Sequence, residues 1–154
     1  MKQLLKIKVN NQYYEIYIEP WKSLADLLRD ELNLTGVKIG CNEGQCGSCS
    51  VIMDGKLVKS CLILAPKAMG KEIITIEGLG NFDQLHPIQK AFIDHFAVQC
   101  GFCTPGFIIA AKALLDENSN PTEDEIRRWL SGNLCRCTGY VRIIEAIKAV
   151  SKNK

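Results

Sequence analysis

The sequence predicts an α+β protein in which a strand-rich N-terminal half precedes a helical one, and three observations carry that expectation. Apolar residues recur at every second position through residues 5–18, the spacing lengthens to nearly four after Glu77, and the eight cysteines fall into two sets of four, one in each half. Period two sends alternate side chains to opposite faces of a pleated strand, whereas a period near 3.6 gathers them on one face of a helix. A chain of 154 residues has room for one ordinary domain or two compact smaller ones. The change of period favours two, residues 1–77 and residues 78–154, with Gly78, Gly80 and Asn81 as linker.

In the first half, Leu5, Ile7 and Val9 alternate with Lys6 and Lys8. Asn10 and Asn11 suit a tight turn, and Tyr14, Ile16 and Ile18 then alternate with Glu15, Tyr17 and Glu19, which makes a β-hairpin. Ser23, with Asp26 three residues on, caps a helix carrying Leu24, Leu27 and Leu28 and ending near residues 33–36. Strands over residues 49–53 and 57–64 flank Asp54-Gly55, a two-residue hairpin signal, and residues 72–76 offer a last strand. Cys61 is expected on or just after a strand, facing the loop that holds Cys41 to Cys49. Together these elements predict a ferredoxin-like β-grasp.

Four short helices are predicted in the second half, as a small four-helix bundle. Pro87 starts one that carries Ile88, Ala91, Phe92 and Phe96; Thr104-Pro105 starts another with Phe107, Ile108, Ala111, Leu114 and Leu115. Thr122 and Glu125 form a capping box before Ile126, Trp129 and Leu130, and a last helix runs from about Tyr140 through Ile143, Ile144 and Ile147. Cysteine pairs, Cys100/Cys103 and Cys135/Cys137, interrupt this half at two helix junctions. The strings Cys103-Thr104-Pro105-Gly106-Phe107 and Cys137-Thr138-Gly139-Tyr140 resemble each other, which suggests a pseudo-twofold arrangement around one group.

Eight cysteines exceed what packing needs, so the spacing has to name their chemistry. Disulfides belong to oxidising compartments, and the start, Met1-Lys2-Gln3-Leu4, carries no export signal. Zinc sites favour two short-spaced thiolate knuckles. Here Cys41-x4-Cys46-x2-Cys49 followed by Cys61 is the plant-type spacing for a 2Fe-2S cluster. One loop must deliver three thiolates from different directions, and Gly40, Gly44 and Gly47 let its backbone turn and present N–H groups to sulfur. The second set suits one cluster at helix N-termini, where free N–H groups and helix dipoles stabilise negative charge. Arg136, between two of these cysteines, adds positive charge or is simply solvated.

Composition is that of an ordinary globular chain, 47% hydrophobic and 23% charged with a formal net charge of +2, which points to neither nucleic acid nor membrane as partner. No run approaches the roughly 20 apolar residues of a membrane helix, and the expected location is cytoplasmic. No nucleotide loop, Ser-His-Asp set or paired carboxylates occur in a convincing context, so no catalytic residue is assigned. His86 and His95 read as ordinary helix residues, Trp21 and Trp129 as core or interface anchors, and the lysines between residues 56 and 71 as solvated strand positions.

Three strings, Gly40-Cys41-Asn42-Glu43-Gly44-Gln45-Cys46-Gly47-Ser48-Cys49, Gln99-Cys100-Gly101-Phe102-Cys103-Thr104-Pro105-Gly106 and Cys135-Arg136-Cys137-Thr138-Gly139-Tyr140, resemble the iron-sulfur small subunit of molybdenum hydroxylases, the xanthine dehydrogenase and carbon monoxide dehydrogenase family. The resemblance covers essentially the whole chain, with all eight cysteines in place. It implies two 2Fe-2S clusters, one on Cys41, Cys46, Cys49 and Cys61, the other on Cys100, Cys103, Cys135 and Cys137. It further implies a molybdopterin-binding large subunit against the helical domain and an FAD-binding medium subunit against the β-grasp, with electrons running from molybdenum through both clusters to flavin. By matching position, Gln99 and Cys137 would lie beside the partner's pterin, Gln99 hydrogen-bonding it; otherwise Gln99 is a solvent-facing helix end. Alternatives from other classes are a free-standing ferredoxin-like carrier or redox sensor and a zinc-stapled binding module.

Overall fold

The computed structural model of the protein describes residues 1–151, so the last three residues of the expected 78–154 domain lie outside the described residues. Strand β1, Gln3–Val9, and strand β2, Gln12–Ile18, form the expected antiparallel hairpin. The hairpin turns on Asn10 and Asn11 at φ 50° and 66°, a left-handed pair that asparagine tolerates and that matches strand twist. Helix α1, Leu24–Asp26, is capped by the Ser23 hydroxyl accepting from the Asp26 N–H, and runs on as a π-helical turn over Leu27–Glu31. Its Leu24, Leu27 and Leu28 are fully buried against Leu5, Ile7, Ile18 and Val51 of the sheet. Burial of each such side chain stabilises by about 1.5–3 kcal/mol.

Strands β3, Ser50–Met53, β4, Lys56–Lys59, and β5, Glu72–Ile74, complete a five-stranded sheet of order β2-β1-β5-β3-β4. It is mixed, because β5 runs parallel to β1 and antiparallel to β3. Two strands stop short of their expected ends. The expected strand over residues 57–64 ends at Lys59: the Ser60 N–H still donates to the Cys49 carbonyl in ladder register, at 3.3 Å, but the Ser60 carbonyl accepts from the Ile63 N–H and closes a turn. A 3-10 turn over Ser60–Leu62 follows and carries Cys61 just past the strand. The expected strand over residues 72–76 ends at Ile74, because the Asn10 side chain takes Thr75 out of the ladder, accepting from its N–H and donating to its hydroxyl, both at 2.9 Å.

Beyond the linker, helices α2, Pro87–Asp94, α3, Thr104–Glu117, α4, Glu123–Trp129, and α5, Val141–Ser151, follow one another. His86 caps α2 through its ring nitrogen Nδ1, and Thr122 with Glu125 forms the expected capping box of α4. Phe96 falls outside α2, at φ 54° after the helix has closed on His95. Phe92, Phe107, Ile126, Ile143 and Ile147 fill the helical core. A smaller cluster, Ile52 of β3 with Ile109 and Ala113 of α3, continues the apolar interior from the sheet into the helices. Trp129 is half-buried at its edge and donates to the Ala110 carbonyl at 2.8 Å, whereas Trp21 is exposed and belongs to no core. Among the described residues no helix is long and apolar enough to cross a membrane.

Candidate metal centres

All eight cysteines are free thiols. In the first set Cys41 lies beside Cys46, and Cys61 beside Cys49. The loop from Gly40 to Cys49 wraps Cys41, whose sulfur accepts N–H groups from Glu43, Gln45 and Cys46 at 3.4, 3.2 and 3.3 Å. These donors stabilise negative charge on sulfur, and the Cys46 and Glu43 amides foremost hold the Cys41 thiol down at about 7. Burial, followed by the hydrogen bond with Cys49, pushes Cys61 up to about 11. Gly44 and Gly47 carry the loop at φ 80° and 73°, the left-handed region where glycine has no steric cost.

In the second set Cys103 lies beside Cys135 and Cys100 beside Cys137. All four line one cavity of about 400 Å³, together with Cys46, Phe102, Arg136 and Tyr140. Burial, then the neighbouring Cys135, pushes Cys103 up to about 12. Burial opposes ionisation of Cys135, but the Thr138 hydroxyl and N–H, donating to its sulfur at 3.0 and 3.4 Å, together with the Cys137 N–H and the Cys103 thiol, outweigh it and lower its pKa. The hydrogen bond with Cys100 raises Cys137. Cys103 is the N-cap residue of α3, so this sulfur does sit at a helix N-terminus. Among the described residues no three His, Cys, Asp or Glu side chains are arranged around a single ion.

The two sets meet along a seam. The Leu134 N–H, next to Cys135, donates to the Cys46 carbonyl at 2.9 Å, so one hydrogen bond links the backbones of the two loops. Asn133, only 2% exposed, donates through Nδ2 to the Gly47 carbonyl at 3.2 Å, while its Oδ1 is buried without a partner. A Cβ on Gly106, in the first turn of α3, would overlap that same Gly47 carbonyl, so helix and loop touch backbone to backbone. Lys59, expected as a solvated strand lysine, instead is half-buried and donates to the Gly132 carbonyl. Burial pushes its ammonium below the usual lysine range, opposed by attraction to Cys49, Cys46, Cys41 and Cys61. Gln99 and Cys137 are both exposed, Gln99 in the turn between α2 and α3 rather than on a helix. Arg136 is exposed on the cavity rim.

Asn133 and Lys59 escape sequence reasoning because neither belongs to a cysteine motif. The Ser131-Gly132-Asn133 turn just before Cys135 is the one local signal that a polar side chain serves the loop.

Two domain models match the chain, a 2Fe-2S iron-sulfur cluster binding domain over residues 7–73 and a 2Fe-2S binding domain over residues 75–148. The chain is 48% identical to the nicotinate dehydrogenase small FeS subunit of Eubacterium barkeri, over 96% of this chain and 94% of that one. The chain belongs to the iron-sulfur small-subunit family of the molybdenum hydroxylases. A family member can also be fused into a longer polypeptide. The aldehyde oxidoreductase of Megalodesulfovibrio gigas is 48% identical over 92% of this chain, which spans only 16% of that protein. The crystal structure of quinoline 2-oxidoreductase from Pseudomonas putida 86 superimposes with a TM-score of 0.95 at 46% identity, over 98% of this chain and 94% of that one. The chain is thus a 2Fe-2S electron-transfer subunit of the molybdenum-containing oxidoreductases.

The residues present fit two such groups. Each set supplies four soft thiol ligands, each has protein N–H or hydroxyl donors aimed at a sulfur, and the second rings a cavity.

Proposed function

We propose that the chain passes electrons from a molybdenum-pterin site on a large subunit, through two 2Fe-2S centres, to an FAD-binding medium subunit. Cys41, Cys46, Cys49 and Cys61 would hold one centre in a β-grasp domain of residues 1–77. Cys100, Cys103, Cys135 and Cys137 would hold the other in a four-helix bundle domain of residues 78–154. Such a centre takes up and returns one electron without making or breaking a bond. The protein's part is position and electrostatics. The N–H donors on Cys41 and the Thr138 donors on Cys135 favour thiolate. The seam between Cys46 and Leu134 keeps the two loops within one hydrogen bond, which gives electrons a short path through packed atoms rather than water.

The observation that carries this reading is that Cys41 lies beside Cys46 and Cys61 beside Cys49 in one matched domain, while Cys100, Cys103, Cys135 and Cys137 line one cavity in the other. The exposure of Gln99, Cys100 and Cys137 at one end supports a large subunit docking there, with Gln99 hydrogen-bonding its pterin. The medium subunit would meet the face around Cys41 to Cys49, and the complex would be cytoplasmic. Anaerobic reconstitution should load about four irons and about four labile sulfides per chain, and reduction should give two distinct paramagnetic signals. Cys46→Ser should remove one signal and Cys103→Ser the other. Zinc alone in the loaded protein, or one signal lost to both substitutions, would refute the assignment.

A further inference from the structure

Lys59 is the last residue of β4, paired across the hairpin with Ser50, the neighbour of Cys49. Two residues later the chain delivers Cys61. Between these points the lysine side chain runs to the helical half and its ammonium donates to the Gly132 carbonyl. The two approach closely, since a Cβ on residue 132 would lie 3.1 Å from Nζ. A lysine that gives up part of its hydration needs compensation. Here the Gly132 carbonyl supplies part of it, and that same carbonyl lies against Gly47, a residue between Cys46 and Cys49, so the charge is held beside the first cysteine loop. On the helical side the comparable cation, Arg136, is exposed, so water and salt screen it.

We infer that Lys59 is an electrostatic positioning residue, whose ammonium, held at the seam by Gly132, raises the reduction potential of the centre on Cys41, Cys46, Cys49 and Cys61 relative to the other. This rests on the ligand assignment proposed above. A cluster with four thiolate ligands is anionic, and one-electron reduction adds one unit of negative charge with no proton or bond exchanged. A fixed cation in a partly dehydrated seam attracts the more negative form more strongly. It therefore favours the electron on the β-grasp side. The two halves then differ in electrostatics as well as in fold, and the difference points electrons from the helical half toward the sheet.

The test uses the full chain, loaded anaerobically with iron and sulfide, in redox titrations followed by electron paramagnetic resonance. Cys46→Ser identifies the first-set signal. Lys59→Met and Lys59→Gln should each shift the midpoint of that signal to lower potential and leave the other where it is. Lys59→Arg, which keeps charge and donor, should hold the midpoint close to that of the unsubstituted chain. Lys59→Gln keeps a donor for Gly132 without the charge, so it separates electrostatics from the tie. An unmoved first signal in a folded neutral variant, an equal shift of both signals, or an arginine variant no better than glutamine would overturn the inference. So would failure of both neutral variants to fold, since that would make the lysine structural. Absence of two signals in the unsubstituted chain would instead refute the ligand assignment.

Discussion

At Gly47 one missing methyl group lets the two cysteine loops touch. The residue sits at φ 73°, and a Cβ there would overlap the Gly132 carbonyl and the Asn133 side chain. Gly55, in the Asp54-Gly55 hairpin turn, has a similar φ of 79° but open space where a Cβ would be. Alanine at either position meets the backbone penalty of about 1 kcal/mol, and only Gly47→Ala adds a steric one of about 1–3 kcal/mol. Chemical denaturation should therefore find Gly47→Ala the more destabilised by about 2 kcal/mol; equal losses would mean that the seam yields. The glycines of this loop were legible in the sequence, since thiolate spacing around glycine demands a wrapping loop. The seam was not, because it depends on Gly106, Gly132 and Asn133 meeting Gly47 across a distance that no local pattern encodes.

Elements came through in the sequence where one local rule governs them, and shifted where a hydrogen bond from outside the pattern intervened. The β1–β2 hairpin, the Ser23 cap and the α4 capping box follow from alternation and capping chemistry within a few residues. The end of β4 moved because the Ser60 carbonyl turns to the Ile63 N–H, and that of β5 because the Asn10 side chain accepts from the Thr75 N–H. The packing of α4 on α5 has an electrostatic contribution of the same long-range kind. Glu123, in the first turn of α4, accepts from Lys148 of α5 at 2.7 Å and from Arg127 at 2.7 Å, and these two cations hold its carboxyl down at about 2. A depressed carboxylate contributes stability that is fully present above the unfolded value, roughly 4.3, and is lost as pH falls through about 2. Glu123→Gln should accordingly melt slightly below the unsubstituted chain at pH 7, with the gap closing as pH drops from about 4 toward 2. A gap constant over that range would place the effect in helix capping instead. The three side chains are 37–53% exposed, so added salt should shrink the difference.

For the molecule as a whole, the proposed function makes the exposed end of the helical half a docking face. Gln99 lies outside both cysteine sets and is exposed at the end that carries Cys100 and Cys137. Gln99→Ala should keep both paramagnetic signals, yet slow reduction by substrate in the assembled complex about fivefold, the equivalent of one hydrogen bond of about 1 kcal/mol. Rapid mixing of the complex with substrate reads this directly, and an unchanged rate would remove Gln99 from the proposed docking face. The two-half plan was legible because cysteine spacing and apolar period change together near Glu77. The continuity of the interior through Ile52, Ile109 and Ala113 was not, since each residue reads locally as ordinary core. The seam also has a consequence for synthesis. Asn133 and Gly47 are 86 residues apart, and a ribosome adding about 5–20 residues per second makes that stretch in roughly 4–17 s. During that interval the loop of Cys41, Cys46 and Cys49 has left the ribosome ahead of the residues that will cover it. Iron and sulfide delivered to the nascent chain would meet this loop before Leu134 has docked on Cys46 and before Gly47 is covered by Asn133.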